Sequence, residues 1–192
     1  MDSRRQRLTL LGIVGLAFAL RVLGLDTQSL WRDEIDAVLF ALKPLPELLG
    51  TFVQPGQNGP LYFLALRPWL RAAGQTEFAL RFFSLFFGVL TVPLVYRLGR
   101  RLFPRMPLVA LLAALLAATS PYLVWYSQEG KMYSLVACLI LLSMERYLAA
   151  LERGGWQRWL GYVAVTSAAF YVHLLAALIV PVQVLGYVVA GR

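Results

Sequence analysis

The sequence predicts an all-α integral membrane protein of about six transmembrane helices, with juxtamembrane amphipathic helices in its first outer loop. Three observations carry that reading. Hydrophobic residues make up 59% of the 192 positions and charged residues only 15%. Apolar runs of spanning length recur along the chain, and arginines gather in short stretches between them, as in the cytoplasmic loops of membrane proteins. A formal charge of +8 could signal nucleic acid, but such a binder concentrates its basic residues on one solvated face. The expected surroundings are therefore membrane lipids, with no nucleic-acid partner. Cys138 is the one cysteine, set in an apolar run, which excludes an intramolecular disulfide or a cysteine metal site.

Arg4, Arg5 and Arg7 precede the first run, residues 8–25, interrupted only by Arg21. That length spans about 27 Å as a helix, close to the thickness of the hydrocarbon core. A signal peptide is the competing reading, but the run exceeds a usual h-region and no small-x-small cleavage site follows. The outer loop, residues 26–77, holds Trp31-Arg32-Asp33-Glu34-Ile35-Asp36, where acids are densest. Residues 31–42 suit an amphipathic helix with Trp31, Ile35, Val38, Leu39 and Leu42 on its apolar face, capped by Ser29 and stopped by Pro44 and Pro46. Residues 54–60, Gln-Pro-Gly-Gln-Asn-Gly-Pro, form a turn-rich connector. The apolar segment 61–73 is only about thirteen residues long and carries Arg67, Pro68 and Arg71, which favours an interfacial helix. Further spans are expected at about 78–98, 108–126, 132–150, 157–173 and 174–190, the last two split near His173. Residues 1–192 are expected to form a single module.

Sidedness follows from the arginines. With the amino terminus inside and 61–73 not crossing, eleven of the eighteen basic residues are cytoplasmic, among them Arg97, Arg100, Arg101, Arg105, Arg146, Arg153, Arg158 and Arg192. Asp26, Asp33, Glu34, Asp36, Glu47, Glu77 and Glu129, seven of the ten acids, then share the outer side. There the first loop and the short loop 127–131 are placed to meet, with His173 as a third contributor.

Each cluster has a chemical reading and a bland one. Asp33 beside Glu34 and Asp36 suits a general base at a membrane surface, where like charges raise a carboxyl pKa and Arg32 lowers it. The same acids suit a solvated first helical turn that complements the helix dipole. In Tyr126-Ser127-Gln128-Glu129-Gly130-Lys131-Met132-Tyr133, Glu129 fits substrate orientation or a divalent cation, and Lys131 fits a phosphate. An aromatic belt with snorkelling charges accounts for the same pattern. Arg67, Arg71 and Arg81 suit lipid headgroups, a lipid-linked phosphate or plain anchoring. Arg21 inside a span is costly unless it pairs, which flags it as functional. His173 alone is weak, and no nucleotide loop, metal-spaced His or Cys set, or Ser-His-Asp arrangement occurs.

Six blocks in order carry a family resemblance: Leu30-Trp31-Arg32-Asp33-Glu34; Gly59-Pro60-Leu61-Tyr62-Phe63; Gly74-Gln75-Thr76-Glu77-Phe78-Ala79-Leu80-Arg81; Tyr96-Arg97-Leu98-Gly99-Arg100-Arg101-Leu102-Phe103; Ser127-Gln128-Glu129-Gly130-Lys131-Met132-Tyr133-Ser134; and Tyr171-Val172-His173. Together they resemble the polyprenyl-phosphate-sugar-dependent glycosyltransferases of the GT-C fold, family 39 and protein O-mannosyltransferase-like enzymes, relatives of the aminoarabinose transferases of lipid A. The resemblance implies an inverting transfer of a hexosyl or pentosyl group to a lipid, protein or glycan acceptor outside a bacterial or archaeal plasma membrane. It implies Asp33 as catalytic base with Glu34 beside it, and Tyr62, Arg81, Glu129, Lys131 and His173 as contacts to the donor phosphate or substrate. No cofactor is certain, and a divalent cation at Glu129 is an option. Two departures stand out. Asn58-Gly59 precedes a single Pro60 where the family has His or Lys before two prolines, and Glu129-Gly130-Lys131 replaces Glu-Ala-Arg. Family members also carry further spans, so a missing carboxy-terminal half or a partner subunit is implied. The rival expectation is a catalytically incomplete membrane protein acting in assembly or lipid binding.

Overall fold

The computed structural model describes residues 3–54 and 57–189. Pro55 and Gly56 of the connector, and the last residues of the chain including Arg192, lie outside the described residues. Among the described residues ten α-helices follow in order: α1 (Ser3–Val22), α2 (Arg32–Leu42), α3 (Leu45–Thr51), α4 (Pro60–Ala73), α5 (Glu77–Leu102), α6 (Pro107–Thr119), α7 (Pro121–Ser127), α8 (Tyr133–Arg153), α9 (Trp156–Val172) and α10 (Ile179–Val189). A 3-10 turn, Leu174–Leu178, joins the last two. No strand occurs among the described residues, and the all-α membrane class is as expected. Helices α5 and α8 are long and apolar enough to cross a bilayer, and so is the α6–α7 pair if taken as one span. The other spans expected from the sequence are helical too, but α1 carries its arginines and α9 has 17 residues.

Helix α5 is the axis of the bundle, with α1, α6 and α8 packed along it. One small core holds Ile13 and Ala17 of α1 against Val92 of α5 and Leu111, Ala114 and Ala118 of α6. A larger one joins α2, α4, α5 and α8 through Val38, Ala41, Tyr62, Leu66, Leu70, Leu80 and Leu135, with Val172 at the end of α9. At one end of the bundle Glu145 is buried and accepts from Arg97 at 2.9 Å, with Arg101 at 3.4 Å. The opposite end carries α2, α4 and the loop after α7.

Two expectations change here. The run 108–126 is broken at Ser120–Pro121, where α6 and α7 meet at 55°. Pro121 has no N–H to return to Ala117, so carbonyls at the end of α6 lose their helical partners. Arg21 supplies the replacement. Its guanidinium is 0% exposed and donates to Ala118 O (2.8 Å), Ala117 O (3.1 Å), Ala17 O (3.1 Å) and Ser127 Oγ (3.1 Å). The space comes from Gly88, where a Cβ would lie 2.1 Å from Ser127 Oγ. A cation at a helix carboxy terminus is also favoured by the dipole, so the intramembrane charge flagged in the sequence has a structural account.

The second change concerns α2. Its buried face is Glu34, Ala37, Val38 and Ala41, whereas Trp31, Ile35 and Leu39 are exposed. The helix is thus rotated away from the apolar face its periodicity predicts. An apolar outer face is tolerated where lipid rather than water lies outside, and Glu34 goes inward because partners await it. Ser29 is not the cap: Trp31 holds that position, and the Glu34 carboxylate accepts from its N–H at 3.4 Å. At the far end Arg67, buried rather than turned to headgroups, donates to the carbonyls of Ala41 and Lys43.

Candidate active site

Glu34 is the centre of a buried hub. Its carboxylate takes two bonds from Arg81, Nε to Oε1 at 2.9 Å and Nη2 to Oε2 at 2.7 Å. Arg81 gives its remaining N–H groups to the carbonyls of Leu25 (2.9 Å), Gln28 (2.8 Å) and Ser29 (3.2 Å). A guanidinium has five donors, and all are engaged within the chain. Arg81 therefore ties the end of the α1 loop to α2, and no donor is left for a ligand.

The hub also grips the loop after α7. Glu34 Oε1 accepts from Gly130 N at 2.7 Å, while the Tyr62 hydroxyl donates to Gly130 O at 2.9 Å. Leu80 packs so closely that a Cβ at Gly130 would lie 2.5 Å from its Cδ2 and Cγ. Only glycine fits without something moving. Tyr62 is fully buried, and that burial, with Glu34 nearby, pushes its phenol pKa up. It remains a neutral donor. Four of the blocks read in the sequence therefore meet around one glycine.

The residue before Glu34 and the residue after Gly130 form a second pair at the rim of the hub. Asp33 Oδ2 lies 3.4 Å from Lys131 Nζ, with side chains 50% and 19% exposed. Lys131 also sits 5.8 Å from the centre of the Trp31 ring. A cavity of about 190 Å³ opens beside this pair, lined in part by Asp33, Asp36, Asn58, Tyr62 and Lys131. A second, larger one of about 440 Å³ is bordered by Trp31, Trp125, Gln128 and Glu129 with the Glu34–Arg81 pair. Glu129 Oε1 accepts from Trp125 Nε1 at 2.7 Å. Among the described residues no three His, Cys, Asp or Glu side chains gather into a metal-holding group.

His173 stands apart from Asp33. It is extended at the break after α9, and its Nδ1 accepts from Leu175 N at 3.1 Å. It lines a third cavity, about 390 Å³, with Tyr122, Tyr126, Tyr133, Ile140 and Leu175. This crevice is mostly apolar and aromatic. From Tyr133 to Ile140 is two turns of α8, so it runs roughly 10 Å down the helix. The sequence singles out Tyr126 and Tyr133 as aromatics flanking a charged loop but not Tyr122, Trp125 or Asn58 as wall residues, for which nearness in the chain to that loop and to the connector is the available signal.

Two apolar helices of spanning length, with an ion-paired acid and base at one end of the bundle and an aromatic crevice beside them, define a membrane protein with a chemically equipped terminus. The chain belongs to the family described as dolichyl-phosphate-mannose-protein mannosyltransferase, whose model matches residues 57–192, well over half its length. It is thereby a membrane glycosyltransferase of the GT-C type, mannosyltransferase-like. No curated protein and no solved structure matches it. The match begins after Asp33 and Glu34, so their roles rest on geometry: both contact residues inside the matched region.

Proposed function

We propose that the protein transfers a sugar from a polyprenyl-phosphate carrier to an acceptor on the extracytoplasmic side of the membrane, with inversion and with Asp33 as general base. The observation that carries this reading is the Asp33–Lys131 contact, which joins two segments about a hundred residues apart at the mouth of a cavity. The acceptor hydroxyl attacks the anomeric carbon as the bond from that carbon to the phosphate oxygen breaks. Its proton passes to the Asp33 carboxylate, and the bonding pair leaves on the polyprenyl phosphate. Lys131 is the cation within reach of that growing charge.

The aromatic crevice supports a donor presented from the bilayer, since its walls follow α8 away from the charged end. His173, Tyr126 and Tyr133 stand at its lining. Glu34 and Arg81 act by position: saturated by one another and by backbone, they fix Gly130 and hence its neighbour Lys131. The arginine-rich opposite end supports an outward-facing site through the positive-inside rule, and with it a six-span topology.

The test is a transfer assay on purified protein with a panel of polyprenyl-phosphate sugars. Asp33→Asn should abolish transfer while membrane insertion and detergent-solubilised stability stay as in wild type. Wild-type rates in that variant would remove Asp33 as the base. A wild-type protein inert toward every donor would favour the non-catalytic reading.

A further inference from the structure

The cavity bordered by Trp31 and Trp125 has no part in the chemistry above, yet it is the largest of the three at about 440 Å³. That size lies within the range of small-molecule sites. Two tryptophans border it, Trp31 at 48% and Trp125 at 62% exposed. Neither is simply a lipid-facing belt residue. Trp31 stands over Lys131, and Trp125 is fixed by its hydrogen bond to Glu129. Between them are polar groups with free capacity. The Gln28 amide and Ser29 hydroxyl make no side-chain hydrogen bond among the described residues, Glu129 keeps Oε2 uncommitted, and Gln128 spends its amide N–H on carbonyls of Leu20, Arg21 and Leu23 while keeping its oxygen.

The charge of the cavity selects among ligands. The acidic and basic residues of its lining are Glu34, Glu129 and Arg81, and Arg81 has no donor to spare. A phosphate brought here would meet an excess of carboxylate in the lining, whose one cation, Arg81, has every donor engaged. An uncharged, hydroxyl-rich ring would instead find flat apolar surfaces for its C–H faces and acceptors and donors at its rim.

We propose that this cavity is a binding site for a neutral saccharide, and that the saccharide is the acceptor. The acceptor assignment rests on the glycosyltransferase reading. A donor sugar arrives bonded directly to its phosphate and brings that charge with it, whereas an acceptor sugar does not. Trp31 borders the cavity and its ring centre lies 5.8 Å from Lys131 Nζ, the partner of Asp33, so a saccharide held here is one side chain away from the proposed base and reaches it by extending past Trp31.

The binding test uses the full chain in detergent with methyl glycosides of common hexoses and their disaccharides, read by saturation-transfer NMR. At least one should bind, and Trp125→Ala should weaken it about tenfold, the scale of one lost aromatic face. Trp31→Ala should do the same, and Trp125→Phe should recover part of the loss. Trp156→Ala, at an exposed tryptophan of the opposite end (73%), should bind as wild type. Inorganic phosphate should not displace the saccharide. No binding by wild type, or binding untouched by both alanine variants, overturns the site. In the transfer assay the bound saccharide should itself become glycosylated. A saccharide that competes with the lipid donor and is never modified overturns the acceptor assignment. Binding without any transfer would leave the site standing and count against the function, while transfer that ignores both tryptophans would do the reverse.

Discussion

Replacing Arg81 by methionine separates the phosphate contact that the family resemblance implies from the structural tie that the fold displays. Arg81 and Glu34 are both nearly inaccessible, with side chains 7% and 1% exposed and a closest approach of 2.7 Å. Arg81→Met leaves Glu34 as a buried carboxylate with Gly130 N and the longer Trp31 N contact as partners, and strands the carbonyls of Leu25, Gln28 and Ser29. Breaking a buried pair from one side costs about 3–5 kcal/mol, a large fraction of the about 5–15 kcal/mol that holds a typical fold. The double variant Glu34→Leu/Arg81→Met removes both charges, so most of that penalty disappears. The Gly130 N–H then loses its acceptor, which keeps the double variant about 1–3 kcal/mol below wild type. The measurement is unfolding in mixed micelles followed by tryptophan fluorescence, with transfer activity in parallel. The double variant should be more stable than Arg81→Met, and both should be inactive. An Arg81→Met protein within about 1 kcal/mol of wild-type stability that had lost only transfer would refute the structural role and restore Arg81 as a substrate contact.

Gly130→Ala should destabilise by about 1–3 kcal/mol through overpacking against Leu80, and adding Leu80→Ala should cost less than the two single changes summed, because the new methyl occupies the space vacated. Strict additivity in that cycle would mean that the two residues do not touch. Arg21→Leu should improve insertion while lowering folded stability, by about 1–3 kcal/mol for each carbonyl of α6 left without a partner. Pulse proteolysis reads this, and unchanged protection would reject Arg21 as the cap of the broken helix.

What the sequence makes legible and what it hides divide along a physical line. Apolar runs and arginine spacing locate the helices, because burial in lipid needs long uninterrupted segments and each is a local property. The break at Ser120–Pro121 had its signal in Pro121, but the run on both sides is so apolar that periodicity reads straight through it. Partner choice was beyond reach. Glu34 lies 47 residues from Arg81 and 96 from Gly130, and nothing local separates a carboxylate that will be buried from one that will not. The face of α2 is hidden for the same reason: its apolar periodicity points to a buried stripe only where water lies outside and apolar groups alone go in. Arg67 and Tyr62 likewise look like surface groups in sequence and are buried ties in the fold.

The consecutive acids at the start of α2 show how the two kinds of information join. Neighbours on a helix point about 100° apart, so if Glu34 faces the hub, Asp33 must leave it. Glu34 meets Gly130 at 2.7 Å, and the residue before the one, Asp33, meets the residue after the other, Lys131, at the rim. The buried contact sets the register of the exposed one. Its rigidity comes from groups that have no freedom left: a guanidinium with every donor used, a phenol held neutral by burial, and a glycine with no room for a methyl. An exposed lysine and aspartate alone would hold one another weakly, since surface pairs contribute little and lose side-chain entropy. Placed one residue from a buried, fully satisfied hub, they need no strength of their own to stay within reach of the same reacting atoms. That arrangement suits a catalytic pair, which must release its mutual contact when a substrate hydroxyl and a departing phosphate take its place.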